Sequence, residues 1–523
     1  MQANNVVQLK TAKNTESDPR KECISRINQH VKACIDSCQK PKSGEKFFQA
    51  EKRIIQSVYQ FGILLLQLYL ISAHLRVDYA RWLKQGKYYL NTTPRFRTLK
   101  TFFGKVSYSR CYLVRKTGEG GIFPLDKELG LTRDGFSPMV ISLAVVLTTR
   151  MSFINAYNLF KRFCFWAPST ESIERLVLGL GREASEYMSS NNERYANDGD
   201  ILIIEIDGKA TPTATEEELE KRRGKRKDKK MCKCGCQRHR GKCKRKKSTH
   251  RQRREKRDKR KNGRSITLVA LYTLKRGGDG LLHGPINKKI WGSYAARDEM
   301  MKWAKEHAKQ RGFDPETNQN IHILMDGETT LYKRMSEYFK KASFSLDIRH
   351  LEEKIWEVGR TFEAKGSKEL AQWVEQYRTI LYEGQASKLL EKMRELLRTL
   401  SARAKRDENK REKLLELIHY MEPRLAMMKY KQYIEDDLPI ASGVIEGAAR
   451  YVVGERMDCS GMRWIPQKAE ALLHLRCIEI NSEWDSFFEW AYNRWCDELS
   501  IGNNILIRTE DGIDLGSKFA KAA

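Results

Sequence analysis

The chain has 523 residues, more than one hydrophobic core usually organises, so we expect two or three domains. Its formal net charge of +30 indicates a polyanionic partner, either nucleic acid or a membrane surface. The 12 cysteines show no regular framework, and the first residues lack the charged-then-apolar order of a signal peptide. These features argue against a secreted disulfide scaffold, and we expect reduced thiols in a cytoplasmic, nucleoid-associated protein.

The beginning of the chain is polar and unpatterned, which predicts a flexible tail over residues 1–45. An N-terminal DNA-binding region is expected over residues 46–195. It contains IIQSVYQFGILLLQLYLISAHL (54–75), a stretch without Asp, Glu, Lys or Arg that is long enough to span a bilayer. Polar residues interrupt it and its flanks are charged, which favours a buried core helix over a membrane span. These interruptions are Gln56, Gln60, Gln67 and His74.

The following residues predict a β-hairpin and then two helices. FRTLKTFFGKVSYSRCYLVRK alternates apolar and polar residues around Gly104, as the strands of a hairpin do. In SFINAYNLFKRFCFWAPSTESIERLVLGLG, Pro168 stops the turn and Ser169 is placed to cap the second helix. The pair is either a DNA-reading helix-turn-helix or ordinary helix packing, since Glu171 and Glu174 would face phosphates unfavourably.

Four apolar segments predict the strands of a sheet, with helical segments between the later ones, in the order β-β-α-β-α-β. This alternation indicates an α/β fold with a mixed sheet flanked by helices. The segments are ILIIEIDG (201–208), SITLVALYTL (265–274), NIHILMDG (320–327) and SFSLDIRH (343–350). We expect the first part of this core over 196–365, an α-helical insertion over 366–438, the final part of the core over 439–500 and a C-terminal tail over 501–523.

A strongly basic insertion interrupts the core at about residues 213–262. Between residues 221 and 261 there are 24 Lys or Arg and 3 acids, a net of +21, which leaves 30 − 21 = +9 for all other residues. Two interpretations of this insertion remain open: a tetrahedral Zn²⁺ site, or a basic arm with redox-sensitive thiols. The zinc reading uses the cysteines of MCKCGCQRHRGKCKRKK, namely Cys232, Cys234, Cys236 and Cys243. In either case we expect phosphate contacts from Lys225, Arg226, Lys244 and Arg245.

Three carboxylates are candidates for a metal site. Asp207 and Asp326 each follow a predicted strand, at the end where open α/β sheets place their ligands. Glu446 lies among small residues in SGVIEGAARYVVGERMDCSGMRW. Two or three acids together with substrate phosphate are the usual ligands of Mg²⁺. Taken singly, an Asp-Gly pair marks a turn in any α/β protein, so only their combined setting favours catalysis.

The sequence resembles the insertion-sequence DDE transposases of the ISKra family, relatives of the Mutator transposases with an RNase H-like catalytic core. The resemblance covers roughly residues 95–495 and is most specific around SGMRW. It is carried by FFGKVSYSRCYLVRK with IFPLDKELGL, IDG, MDGE, LDIRHLEEKI, GVIEGAARYVVGERMDCSGMRW and LHLRCIEINSEWDSFFEW. It implies that Asp207, Asp326 and Glu446 are the catalytic, metal-binding triad. Mg²⁺ or Mn²⁺ would be the cofactor.

Other residues take expected roles beside this triad. In LDIRH, Asp347 and His350 match an Asp or Cys followed by His that lies near the active site in the wider superfamily, although His350 suits a structural role equally well. Arg456 and Arg463 suit phosphate contact and Trp464 suits base stacking or core packing. Many relatives carry paired cysteines where this chain has RKTGEGG, which puts a zinc site there in doubt.

The resemblance implies a transposase that cuts element ends and joins the 3′-hydroxyl ends to target DNA by two-metal-ion chemistry. Its partners would be double-stranded DNA, as terminal repeats and as target, and a second copy of the chain in a homo-oligomer. Three alternatives stay open: a domesticated DNA-binding relative without activity, an RNase H-like nuclease without strand transfer, and a membrane anchor at 54–75 with a basic arm on anionic lipid.

Overall fold

The computed structural model describes residues 18–84, 86–118, 120–132, 134–190, 197–220, 263–459 and 462–501. The helices are α1 (Pro19–Gln39), α2 (Phe47–Arg76), α3 (Tyr79–Lys84), α4 (Pro124–Glu128), α5 (Pro138–Arg150), α6 (Phe153–Cys164), α7 (Thr170–Ser190), α8 (Glu216–Glu220), α9 (Arg297–Gln310), α10 (Thr329–Tyr338), α11 (Ile348–Phe362), α12 (Lys368–Tyr382), α13 (Ala386–Thr399), α14 (Glu408–Met421), α15 (Tyr430–Glu435), α16 (Gly443–Ala448), α17 (Glu455–Met457), α18 (Pro466–Ile480) and α19 (Trp484–Ile501). A π-helical segment, Ala449–Gly454, joins α16 to α17, and 3₁₀ turns cover Lys405–Asp407 and Glu422–Met427. The strands are β1 (Tyr88–Thr101), β2 (Gly104–Arg115), β3 (Gly121–Ile122), β4 (Ile201–Thr211), β5 (Arg264–Arg276), β6 (Leu282–Ser293), β7 (Ile321–Met325) and β8 (Ser343–Leu346).

The chain forms two compact units. The first comprises the described residues up to Tyr187 together with those from Glu483 onward, and the second comprises Met188–Ser482. The final part of the core was predicted over 439–500, whereas α19 belongs to the first unit in this division. There, Phe487 packs edge-on against Tyr187 and Arg494 pairs with Glu186 at 2.6 Å.

The first unit contains a three-stranded antiparallel sheet in the order β1-β2-β3. The predicted hairpin is observed, with Thr101 opposite Gly104 across its turn. The second helix of the predicted pair, α7, also begins as expected, since the hydroxyl of Ser169 accepts a hydrogen bond from the Ser172 N–H at 3.1 Å. The side chains of α2 that face β2 contribute to the core of this unit, together with Val106 and Tyr108.

Two predictions for the first unit need correction. Part of the predicted tail is the helix α1, whose Cys23 and Ile27 are buried against α2. Their spacing of four residues places them on one helix face, a pattern hidden by the polar residues around them. Helix α2 is long and apolar enough to cross a membrane, as core helices of soluble proteins also are, but only 28% of its apolar window is buried. Val58 and Tyr69 are among its exposed side chains, so α2 is less buried than predicted.

The second unit is built on a five-stranded mixed sheet in the order β6-β5-β4-β7-β8. The pairs β4–β5 and β5–β6 are antiparallel, whereas β4–β7 and β7–β8 are parallel. The mixed α/β class is confirmed. The central strand β4 is buried from Leu202 to Ile206, which explains why its sequence is a continuous apolar run rather than an alternating one.

Helices α12 to α15 follow α11 and precede α16, within the predicted insertion at 366–438. They have their own apolar contacts, with Leu370, Leu389, Leu414 and Met421 buried. The chain then returns to the sheet through Pro439, whose carbonyl accepts a hydrogen bond from the buried imidazole of His322 at 3.0 Å. This return places α16 against β4 and β5.

Candidate metal centre

Three aspartates align at one edge of the five-stranded sheet. In the parallel ladders, Ile206 is opposite Met325 and Met325 is opposite Leu346. Asp207, Asp326 and Asp347 are the next residues along these three chain segments. The backbone N–H of Asp347 donates to the Met325 carbonyl at 2.9 Å, which extends the alignment beyond β8. The end of the parallel pairing thus brings together the predicted ligands Asp207 and Asp326 with Asp347 of the LDIRH motif, although β4 itself continues to Thr211 alongside β5.

Asp207 is half-buried at the centre of this edge, and one of its carboxylate oxygens accepts the Gly208 N–H at 2.6 Å. Burial raises the pKa of Asp207, and the nearby charge of Asp326 acts in the same direction. The Gly208 hydrogen bond and His350 oppose this rise. A carboxylate with such an environment gains from a cation, because the cation replaces the solvation lost on burial.

Asp326 is exposed, and the helical insertion holds its backbone in place. The hydroxyl of Tyr420 donates to the Asp326 carbonyl at 2.8 Å, and Arg424 donates to the next carbonyl, that of Gly327. Gly327 has a φ of +84°, and a Cβ added there would meet Leu346 Cδ1 at 2.4 Å. The turn after β7 therefore requires glycine for both its backbone conformation and its close packing.

Asp347 is fully buried and connects β8 to the segment before α16. One carboxylate oxygen accepts the Arg349 N–H at 2.7 Å and so caps the N-terminus of α11. The other accepts the backbone N–H of Ser442 at 3.2 Å and also the Ser442 hydroxyl. Asp347 is therefore oriented from two sides, and it holds the residue that immediately precedes the Glu446 helix.

Glu205 is a site residue that the sequence reasoning missed. It is 1% exposed, and its carboxylate accepts hydrogen bonds from the Ile445 N–H at 2.7 Å and from the Tyr272 hydroxyl at 2.7 Å. Burial raises the pKa of Glu205, the two hydrogen bonds oppose that rise, and Asp347 and Glu446 add to it. Because Ile445 directly precedes Glu446, Glu205 attaches the third predicted ligand to the central strand. The available signal was a lone Glu within the apolar run ILIIEIDG.

Among the described residues, one group of three metal-ligating side chains has all its donor atoms within 4.8 Å of one another, and it consists of Asp347, His350 and Glu446. The donor atoms of the predicted triad, Asp207, Asp326 and Glu446, do not all lie within 4.8 Å of one another. Glu446 and His350 are half-buried, and His350 Nδ1 lies 3.9 Å from a carboxylate oxygen of Glu353. Glu446 thus groups with Asp347 and His350, the pair of the LDIRH motif. Carboxylate and imidazole donors at this spacing can bind a divalent cation.

The predicted DNA-binding residues after Glu446 have different environments. Arg456 is 2% exposed and its guanidinium stacks over the Trp464 ring at 5.1 Å, so it is buried in this structure and its phosphate contact stays a prediction. Burial, with the neighbouring charge of Arg476, lowers the pKa of Arg456 to about 10. Trp464 is half-buried and its indole N–H donates to the Met457 carbonyl at 2.8 Å, which favours the packing reading over base stacking. Arg463 is exposed, as a phosphate contact requires.

A π-helical segment follows the Glu446 helix directly. Buried Arg476 donates to the carbonyls of Tyr451 and Val452, at 3.1 and 2.7 Å from its Nε, which satisfies acceptors that the wider helical turn leaves open. Segments of this type are frequent at functional sites.

The remaining predicted site residues lie outside the described residues, so the phosphate contacts and the zinc reading stay predictions. They are Lys225, Arg226, Lys244 and Arg245 for DNA, and Cys232, Cys234, Cys236 and Cys243 for zinc.

A comparison with protein-family models gives no match to this chain, and a comparison with curated proteins gives no significant match either.

Proposed function

We propose that this protein is a DNA transposase of the DDE type, which cuts the ends of a mobile element and joins the 3′-hydroxyl ends to target DNA. The observation that carries the proposal is the alignment of Asp207 and Asp326, which belong to the adjacent parallel segments β4 and β7. Glu446 lies on α16, a helix that a hydrogen bond to Glu205 attaches to β4.

The donor set supports a Mg²⁺ or Mn²⁺ cofactor held by Asp207, Asp326 and Glu446. Carboxylate oxygens are the preferred ligands of both cations, and Asp326 is exposed, so phosphate oxygens can complete a coordination shell. When bound, such cations neutralise phosphate charge and activate the attacking oxygen. The protein residues hold the acids in place: Tyr420 and Arg424 through the backbone after β7, and Glu205 through α16.

The surroundings of Glu446 support access by a DNA backbone. Gly443 is exposed, and a Cβ added there would meet no atom within 4 Å. The small residues of this helix therefore leave space at its N-terminal turn. Exposed Arg463 and the net charge of +30 favour the same polyanion.

The fold is compatible with the RNase H-like core that the resemblance implies. Two general features are compatible with such a core. One is a five-stranded mixed sheet with helices packed against it, and the other is a helical segment inserted before α16, the helix that packs on the strands and bears the third acid. Double-stranded DNA and a homo-oligomer able to pair two element ends are part of the proposal.

A plasmid excision assay tests the proposal. The gene's native flanking DNA brackets a marker, and the wild-type protein is compared with Asp207→Asn, Asp326→Asn and Glu446→Gln in the same cells. Each substitution should reduce excision by roughly a hundredfold or more, because each removes a charged metal ligand. Glu299→Gln, which neutralises an exposed acid of α9, is the matched control and should excise normally.

Analysis of the DNA products separates the proposal from its two rivals. Joined products that depend on all three acids support a transposase. Cut ends that are never joined would instead identify a nuclease. DNA binding without any cut product would identify an inactive relative, and would overturn the proposed activity.

A further inference from the structure

We propose that Asp347, His350 and Glu446 form a second, chemically different cation site, which shares Glu446 with the Asp207–Asp326 site, and that this second site selects transition-metal cations over Mg²⁺. The inference rests on the proposed function, since it specifies the metal requirement of the same centre. It assigns His350 a role as a ligand rather than as a structural residue of α11.

The geometry requires only small movements. The donor atoms of the three side chains all lie within 4.8 Å of one another. Bond lengths of about 2.1 Å place neighbouring ligand atoms roughly 3 Å apart and opposite ones about 4 Å apart. Rotation of exposed or half-buried side chains about χ angles covers this difference. His350 lies three residues after the cap Asp347, one helical turn along, so the two side chains rise from the same side of α11.

Hydrogen bonds orient the Asp347 carboxylate and hold the backbone beside Glu446. Asp347 is held by Arg349 and Ser442, and a carboxylate oxygen that accepts one N–H keeps a lone pair for a cation. Glu446 is held through its neighbour Ile445, which donates to Glu205. Hydrogen bonds such as those to Asp347 are typical of metal-binding carboxylates and raise affinity.

His350 is the adaptable member of the group. Its contact with Glu353 is 3.9 Å long, and the Glu353 side chain is 76% exposed. Such a surface ion pair contributes little, so it does not hold the imidazole against a cation.

The donor types make the two sites different. Asp207 and Asp326 offer only carboxylate oxygens, which suit Mg²⁺, whereas an imidazole nitrogen favours first-row transition cations. The two sites therefore respond differently to Mg²⁺ and Mn²⁺. Asp207 interacts electrostatically with both Asp326 and His350, as expected if the sites adjoin.

The test uses the full chain, stripped of metal with a chelator, and Mn²⁺ alone as the probe. Pulsed electron paramagnetic resonance of bound Mn²⁺ detects a directly coordinated imidazole nitrogen, and this readout does not depend on DNA cleavage. The variants are His350→Gln, Asp207→Asn and the control His283→Gln. His283 also faces a carboxylate, that of Asp279 at 2.9 Å, but it is exposed and belongs to no described three-ligand group. Circular dichroism checks that each variant is folded.

The expected result is a nitrogen signal in the wild type, in Asp207→Asn and in His283→Gln, which persists in excess Mg²⁺. The signal should disappear in His350→Gln, with Mn²⁺ affinity lowered roughly tenfold or more. A wild type without the signal, or a signal that survives in His350→Gln, would overturn the inference. A wild type that carries the signal but neither cuts nor joins DNA would leave the cation site standing and reject the proposed function.

Discussion

The carboxylate of Glu205 accepts the backbone N–H of Ile445 at 2.7 Å, although the two residues are 240 positions apart in the chain. This hydrogen bond joins the central strand β4 to the first turn of α16. A buried carboxylate is unfavourable unless it is well hydrogen-bonded, and here Tyr272 supplies the second donor. The position of Glu446 thus depends on a residue that is itself outside the predicted triad.

Substitution of Glu205 should loosen α16. Glu205→Ala leaves two buried donors, the Ile445 N–H and the Tyr272 hydroxyl, without acceptors, at a cost of roughly 1–3 kcal/mol each. Glu205→Gln keeps one acceptor oxygen and should cost less. Hydrogen exchange of the peptide that contains Gly443–Ala448 measures the effect, and the expected order of protection is wild type, Gln, then Ala. Equal protection in Glu205→Ala and the wild type would show that the anchor is unimportant.

Gly327→Ala should be much more destabilising than Gly312→Ala. Both glycines have positive φ, +84° and +88°, so both substitutions incur about 1 kcal/mol of backbone strain. Only at Gly327 would the new Cβ also clash, with Leu346 at 2.4 Å and Arg424 at 2.7 Å, whereas nothing lies within 4 Å at Gly312. Overpacking adds roughly 1–3 kcal/mol. Thermal unfolding of the two variants compares them, and equal shifts in Tm would contradict the packing argument.

Tyr420→Phe should slow the proposed DNA cleavage without unfolding the protein. It removes the hydrogen bond to the Asp326 carbonyl, which is worth about 0.5–1.5 kcal/mol and corresponds to roughly a two- to tenfold lower rate if Asp326 loses its orientation. Tyr382→Phe is the matched control, since Tyr382 is also a tyrosine of the insertion but its hydroxyl donates to Glu352 of α11 at 3.2 Å. Single-turnover cleavage is the measurement. Equal rates in the two variants would show that the insertion does not orient Asp326.

The second unit should lose stability as pH falls from about 6.5 towards 4. Burial of His322, between Ser343 and the Pro439 carbonyl, lowers its pKa to about 4, and burial likewise lowers the pKa of His307 to about 4. The unfolded chain therefore binds protons first, near its ordinary pKa of about 6.5. The stabilisation is complete above that pH and is lost as pH approaches the folded-state pKa, with a slope of up to about 1.4 kcal/mol per pH unit for each histidine.

Thermal unfolding between pH 7.5 and 5 tests this expectation. His322→Gln should lower Tm at pH 7.5, because it loses buried hydrogen bonds, but it should show a shallower pH dependence. His283→Gln, which changes an exposed histidine, should keep the wild-type slope. An unchanged slope in His322→Gln would mean that His322 is not the titrating group.

Sequence patterns were sufficient to predict the structural features that depend on residues close together in the chain. The strand that contains Asp207 and the strand that precedes Asp326 are recognisable because a buried strand is a short apolar run. The predicted Asp-Gly turn follows only β7, whereas β4 continues through Asp207 and Gly208 to Thr211, paired with β5. The hairpin at Gly104 and the cap at Ser169 follow from turn and capping chemistry within a few residues. Helix α1 was missed because its two buried residues, Cys23 and Ile27, are few among polar neighbours.

The sequence by itself determined which apolar strands carry or precede the candidate carboxylates and that the core is a mixed α/β sheet interrupted by helices. Only the tertiary structure decided that Asp347 aligns with the two predicted aspartates, that Glu205 holds α16, and that Arg456 is buried instead of facing a phosphate. The physical reason is the distance along the chain over which each effect acts. Propensity and hydrophobic periodicity act over a few residues, whereas register between distant strands and the docking of a helix depend on packing across the whole unit.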